Sequence, residues 1–256
     1  MPPAIFSGVG VALVTLFDDR GEVDAKATAG LAVRLVDQGM RAIVVAGSTG
    51  EASSLDPGER LTLLDEVKAA VGQGAPVLAG TGAPSARQAV ALTRAAVEHG
   101  ADGLLTLSPP GVADPLAYYQ AVAAAAGDTP LLAYHYPTAS APGIPVERLA
   151  DLPIDAVKDS SGDPERLLEE LAVEPALPVY VGAATVLLMA GPLGCHGAIL
   201  ALANAEPVLC AKAFEGDAEA QQRLLASHRR TQQDFPSGLK QLLAERWGTS
   251  PVARLA

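Results

Sequence analysis

Eight short apolar, β-prone runs begin near Val9, Ala42, Pro76, Gly103, Pro130, Asp155, Val179 and Gly197, and nearly every one is followed by a stretch with helical periodicity. A chain that alternates strand and helix in this way builds a parallel sheet covered by its own crossovers. Eight such units within 256 residues fit a closed (β/α)8 TIM barrel better than an open doubly wound sheet. The helix starts carry their own signals. Asp56-Pro57-Gly58-Glu59 offers an N-cap, a proline in the first turn and a capping-box glutamate, and Asp114-Pro115 repeats the device. Gly39 and Gly100 close the preceding helices, where a left-handed residue is most easily tolerated. Beyond Asp217, Ala218 to Thr231 and Ser237 to Trp247 read as two amphipathic helices. The expected organisation is a barrel domain over residues 1–216 and a short C-terminal helical extension over residues 217–256.

Composition narrows what such a barrel can serve. A chain that is 49% hydrophobic and 18% charged buries a substantial core. No apolar run reaches the roughly 18 residues that span a bilayer. The opening Met1-Pro2-Pro3-Ala4 has no basic region followed by an apolar stretch, so a soluble, cytoplasmic protein with no membrane partner is expected. Cys195 and Cys210 lack any paired spacing, and His99, His135, His196 and His228 lack ligand-like spacing, so neither a metal nor a cofactor is expected. A net charge of −11 argues against nucleic acid and leaves small molecules as partners. An anionic one would have to be held by local donors, amides and hydroxyls, since the overall field repels it.

In a barrel of this kind the chemistry sits at the C-terminal ends of the strands. The sixth run, Ile154-Asp155-Ala156-Val157, ends in Lys158 and passes at once into Asp159-Ser160-Ser161-Gly162-Asp163, so a lone amine stands where a buried strand meets a loop. A free lysine, with a pKa of about 10.4, is protonated at neutral pH; burial lowers that value and makes the amine a nucleophile, which suggests a Schiff base. A surface lysine snorkelling off a strand end is the alternative. The second run ends in Gly47-Ser48-Thr49-Gly50-Glu51, whose amides and consecutive hydroxyls offer donors to a small carboxylate, although hydroxyls are common in ordinary turns. The fifth ends in Tyr134-His135-Tyr136-Pro137 and the seventh in Gly182. Tyr134 also reads as a strand aromatic filling the barrel. Glu51 reads as a helix-start or subunit-contact carboxylate rather than a catalytic one.

Three motifs in register, Gly47-Ser48-Thr49-Gly50-Glu51, Tyr134-x-x-Pro137 and Lys158-Asp159-Ser160-Ser161-Gly162-Asp163, followed by Gly197-Ala198-Ile199 and Asn204, resemble the dihydrodipicolinate synthase and N-acetylneuraminate lyase superfamily of pyruvate-dependent class I aldolases. The resemblance runs from Gly8 to about Pro207. It implies that Lys158 forms an imine with a 2-keto acid and that Tyr134 shuttles protons. It further implies that Gly47, Ser48 and Thr49 hold the pyruvate carboxylate, and that Gly182 and the backbone of Ile199 complete the pocket wall. A homo-oligomer, dimer or tetramer, is expected on the same ground, although the C-terminal region is short by about one helix for the usual tetramer.

The chain departs from that pattern in two places. Where the synthases carry a proline and paired tyrosines, it reads Ser108-Pro109-Pro110-Gly111, so the usual proton relay is missing and water or His135 would have to substitute. Where they place an arginine for the second substrate's carboxylate, it has Ala139. Tyr134-His135-Tyr136-Pro137-Thr138-Ala139-Ser140 is similar to the segment of archaeal 2-keto-3-deoxygluconate aldolases, and Thr138 and Ser140 suit a polyhydroxylated chain. Cleavage of a 2-keto-3-deoxy sugar acid to pyruvate and an aldehyde is the leading expectation. The alternatives are 4-hydroxy-tetrahydrodipicolinate synthesis from pyruvate and aspartate semialdehyde, a sugar-acid dehydratase, and a non-catalytic ligand-binding paralogue. Gly80-Thr81-Gly82-Ala83-Pro84-Ser85 imitates a dinucleotide turn but lacks its third glycine, which leaves a nicotinamide-dependent dehydrogenase a weak rival.

Overall fold

Successive side chains of a strand point to opposite faces, so a barrel sorts one sequence into an inner and an outer set. The computed structural model describes residues 5–173 and 175–255; the stretch Met1–Ala4, read above as leader-free, lies outside the described residues. Strands β1 Gly8–Ala12, β2 Ile43–Val45, β3 Val77–Gly80, β4 Gly103–Leu107, β5 Leu131–His135, β6 Ala156–Asp159, β7 Val179–Val181 and β8 Gly197–Leu200 run in parallel. β8 pairs back onto β1 and closes the barrel. Val9, Val11, Val157 and Leu200 face the surrounding helices, whereas Ala12, Val44, Leu78, Leu132, Ala156 and Ile199 fill the interior. Phe6 and Tyr180 pack ring on ring at 4.7 Å inside the barrel, and the Tyr180 hydroxyl donates to the Phe6 carbonyl at 2.7 Å.

Helices α1 Ala25–Asp37, α2 Pro57–Val71, α3 Ala86–Glu98, α4 Leu116–Ala126, α5 Pro164–Leu171, α6 Leu187–Ala190 and α7 Pro207–Phe214 follow the strands, and α8 Ala218–Gln233 and α9 Ser237–Trp247 complete the described chain. The β5–β6 crossover has no α-helix; a 3₁₀ turn over Val146–Asp151 stands in its place, because Pro137, Pro142 and Pro145 interrupt the segment. The capping box at Asp56 and Glu59 forms as the sequence implies. At α4 the device shifts by one residue: Pro115 takes the cap position and Asp114 accepts from the Leu116 amide at 3.2 Å. Gly39 and Gly100 adopt left-handed φ values of 92° and 72° after α1 and α3.

The dinucleotide-like glycines have a packing explanation. A Cβ on Gly80 would strike the Ala46 carbonyl, and one on Gly82 would lie 2.6 Å from the Leu107 amide nitrogen, so both glycines let neighbouring strand ends approach. Cys195 and Cys210 are free and buried. No helix among the described residues is long and apolar enough to cross a membrane.

One side chain secures the seam where the barrel closes. Fully buried Asn204 donates to the Ala12 carbonyl at 2.7 Å and the Ala201 carbonyl at 2.8 Å, and accepts from the Val14 amide at 3.1 Å. Asn204→Ala removes the side-chain partner of the Val14 amide and the Ala12 carbonyl, while the Ala201 carbonyl keeps the residue-204 amide at 3.1 Å, and each orphaned buried group costs about 1–3 kcal/mol. Urea unfolding of that variant should show a stability loss of about 2–4 kcal/mol, and an unchanged midpoint would remove Asn204 from this role.

Candidate active site

Strand parity decides where the amine goes. Ala156 points into the barrel, so Lys158, two residues on, points the same way, while Val157 and Asp159 turn outward. Tyr134 is the register partner of Lys158 on β5 and shares its parity. The Lys158 Nζ therefore stands 4.1 Å from the centre of the Tyr134 ring. Lys158 is 4% exposed, and burial alone pulls its pKa down to about 7. The snorkelling alternative is thereby excluded.

A comparison within the chain sharpens the point. Lys240 is also fully buried, but its ammonium meets the Glu51 carboxylate in an ion pair. Lys158 has no ion-pair partner among the described residues. Asp159, its sequence neighbour, faces away and is occupied: its carboxylate accepts from the Ser161 amide and hydroxyl at 2.6 and 2.8 Å, with the Arg166 guanidinium 3.6 Å off. The amine is thus left uncompensated while its loop is pinned.

Tyr134 is buried, and desolvation raises its phenol above the ordinary value despite side-chain hydrogen bonds from Ser160 and Ser48. The Ser160 hydroxyl donates to it at 3.2 Å. A raised pKa keeps the phenol protonated at neutral pH, ready to give a proton rather than lose it idly. The stacked ring of Tyr136, 5.8 Å away, braces it from the side.

These groups line a cavity of about 310 Å³ with Ser48, Thr49, Thr138 and Gly182. Ser48 and Thr49 sit in a 3₁₀ turn after β2, and their amides make no backbone hydrogen bond among the described residues. Gly182 is a necessity of space: a Cβ there would collide with the Ser160 hydroxyl and come within 2.9 Å of Lys158 Cε. Gly47 and Ile199 are not among the lining residues; Ile199 lies in the barrel interior, and Leu200 at the end of β8 with Ala201 and Leu202 just after it form the wall instead.

Other assignments are corrected. The His135 ring does not reach this cavity: its Nδ1 accepts from the Ile144 amide at 2.9 Å, and burial holds its pKa near 4, so it is a neutral clamp for the loop beyond β5 rather than a substitute proton relay. The Ser140 hydroxyl is committed to the Ser108 carbonyl at 2.5 Å and is not available to a ligand here. Glu51 does stand at the start of a helical turn, the 3₁₀ turn Ala52–Ser54, but its carboxylate is buried and paired within the chain rather than presented to another subunit. Sequence reasoning missed Thr185 after β7 and His228, Thr231 and Gln232 on α8, all of which line the cavity. Ser160 was legible in principle, standing two residues beyond Lys158 on the loop that must turn over it.

A neighbouring cavity of about 830 Å³ lies between the ends of β3 and β4 and the helices α2 and α3. It shares Ser48, Tyr136, Thr138 and Phe235 with the first and contains neither Lys158 nor Tyr134. Lys158 and Tyr134 both face the smaller space.

A closed barrel thus brings together a buried amine of lowered pKa at a strand end, a protonated phenol over it and a turn with free amides. The chain belongs to the dihydrodipicolinate synthetase family, whose family model matches residues 5–246. It is 40% identical over 191 residues to a 4-hydroxy-tetrahydrodipicolinate synthase of Synechococcus sp. strain CC9605, covering 71% of this chain and 63% of that enzyme, under two thirds of its length. It is 34% identical over 247 residues to an uncharacterised DapA-like lyase of Halobacterium salinarum, covering 93% and 81%. The structure of the chloride-inhibited dihydrodipicolinate synthase from Acinetobacter baumannii in complex with pyruvate superposes with a TM-score of 0.84 at 29% identity, over 98% of this chain and 94% of that one.

Burying Lys158 carries a stability cost with a definite pH dependence. Its pKa is about 7 in the folded chain and about 10.4 unfolded, so the cost is full below pH 7 and fades as pH rises toward the unfolded value. Lys158→Met should therefore melt several degrees above the parent at pH 6–7, the size that about 1–2 kcal/mol gives a domain of this length. The gap should narrow by pH 9–10 in calorimetry, and a variant less stable at pH 6–7 would contradict the burial of an uncompensated amine.

Proposed function

We propose that this protein is a class I pyruvate-dependent lyase in which Lys158 forms a Schiff base with a 2-keto acid. The observation that carries the reading is a buried amine without a counter-ion, facing a phenol. A neutral Lys158 attacks the keto carbon and water leaves; the protonated imine then draws electrons from the bond between the third and fourth carbons, and the enamine left behind takes a proton at the third carbon before water hydrolyses the imine to free pyruvate and Lys158. Ser48 and Thr49, through hydroxyls and unspent amides, receive the keto acid's carboxylate. Tyr134, protonated at rest, passes its own proton on through the adjoining hydroxyl as it takes that of the substrate hydroxyl when the bond breaks, and the relay runs in reverse in the synthetic direction. The Ser160 and Ser48 hydroxyls beside it extend that proton path without the tyrosine pair that Ser108-Pro109-Pro110-Gly111 cannot supply. The pyruvate complex of the Acinetobacter relative supports pyruvate as the acid.

For the acceptor, the favoured reading is a neutral, hydroxylated aldehyde, released by retro-aldol cleavage of a 2-keto-3-deoxy sugar acid. Apart from Lys158, the cavity wall carries no lysine, arginine, aspartate or glutamate; its outer part offers Thr138, Thr185, His228, Thr231 and Gln232. A carboxylated aldehyde would be desolvated there without a bidentate partner. The guanidinium of Arg60 lines the neighbouring cavity and is spent on the Gly80 and Ala52 carbonyls. The similarity to the 4-hydroxy-tetrahydrodipicolinate synthase of Synechococcus favours the second reading, condensation of pyruvate with aspartate semialdehyde.

Two measurements test these statements. Pyruvate followed by borohydride should add one 1-carboxyethyl group to the Lys158 nitrogen, located by peptide mass spectrometry, and the yield should rise with pH through about 7 as the amine loses its proton. Modification elsewhere, or none, ends the lyase reading. Aldehyde screening with pyruvate should favour glyceraldehyde over aspartate semialdehyde by about tenfold or more in kcat/KM, the worth of one unmet charge–charge contact. The reverse preference selects the synthase.

A further inference from the structure

The turn that holds Ser48 and Thr49 is clamped from both sides, and one of the clamps is the C-terminal segment of the chain. On the barrel side, the Thr15 hydroxyl beyond β1 donates to the Gly50 carbonyl at 2.7 Å. On the other side stands Glu51, the next residue after the turn, held at a left-handed φ of 57° that a non-glycine residue adopts only when its surroundings enforce it. Its carboxylate is fully buried. One oxygen takes the Lys240 ammonium from α9, and the other accepts the amides of Arg254 and Leu255 at 2.7 and 2.8 Å.

The segment that supplies those amides is itself fastened. The Arg254 guanidinium donates to the Gly21 carbonyl at 2.7 Å, the Ser54 carbonyl at 2.9 Å and both oxygens of Glu59 at 2.7 and 2.9 Å. Lys240 and Arg254 also lie 4.1 and 4.6 Å from the centre of the buried Phe17 ring. Lys240 further donates to the Val252 carbonyl at 2.8 Å. Every atom of the Glu51 carboxylate is thus answered by residues about 190–200 positions later in the chain.

We infer that Glu51, Lys240 and Arg254 form a positioning device for the carboxylate-binding turn, so that the C-terminal strap sets the affinity for the keto acid. A merely structural ion pair would stabilise the fold wherever it sat. Here the anchor adjoins two residues whose amides must point at a ligand, and displacement of about 1 Å at such a site is enough to weaken binding. The inference rests on the reading that Ser48 and Thr49 receive the keto acid.

Glu51→Gln tests it without changing size. Glutamine has a single acceptor oxygen, so it cannot serve both the ammonium and the two strap amides. The pyruvate concentration giving half-maximal borohydride trapping at Lys158 should rise about tenfold or more, with turnover at saturating pyruvate retained, the signature of lost uniform binding. Val122→Ala, a core truncation in α4, serves as control: it lowers the melting temperature and leaves pyruvate half-saturation in place. Should Glu51→Gln fail to fold, Arg254→Ala loosens the strap from its outer, part-exposed side, and a rise of about threefold or more is expected. If the parent protein traps pyruvate at Lys158 and neither variant shifts half-saturation more than the Val122→Ala control, the positioning inference falls alone. If the parent traps none, it falls together with the lyase reading.

Discussion

An ammonium ion deprived of water and of a counter-charge is the interaction on which this structure turns. Transfer of such a charge into an apolar interior is so costly that the group gives up its proton instead. The barrel enforces that outcome at Lys158 by geometry. Parity sends the side chain inward, the adjacent carboxylate outward, and Tyr134 across the remaining approach. Lys240 shows the other resolution of the same problem, where Glu51 supplies the missing charge. Two buried lysines in one chain therefore serve opposite ends: one is neutralised by deprotonation and becomes reactive, the other by pairing and becomes an anchor.

The proposed chemistry follows from what surrounds the amine rather than from the amine alone. A phenol kept protonated by burial, the Ser160 hydroxyl bonded to it, and unspent amides in the Ser48–Thr49 turn are the features on which the proposed binding of a keto acid and the proton transfer beside it rest. The family relation and the site agree on this level of description. They diverge further out, where the wall lacks the cationic side chain that a second carboxylate requires.

Much of this was legible in the sequence because the signals are local. Strand starts, the Asp56 cap, the closing glycines and the three motif segments each announce themselves within a few residues, and strand parity then fixes Lys158 and Tyr134. The misreadings have the opposite character. The neighbourhood of Glu51 suggests a helix-start or subunit-contact carboxylate, yet its partner lies 189 residues away. His135 was weighed as a proton relay because histidine suits the task, but its ring had already been claimed by the Ile144 amide. The α8 residues on the cavity wall, His228, Thr231 and Gln232, lie in a helix whose polar face looks like any solvated one until the fold lays it across the mouth. Long-range contacts without a local signature are what a single sequence conceals.

The buried cysteines bear on how such a site keeps its selectivity. Burial and the nearby Glu170 carboxylate push the Cys195 thiol up to about 12, and burial raises Cys210 further still. Thiolates add to aldehydes and oxidise readily, whereas a protonated, inaccessible thiol does neither. An incoming carbonyl compound therefore meets no rival sulfur nucleophile in this chain, and reagents that alkylate or oxidise exposed thiols should pass the native protein by.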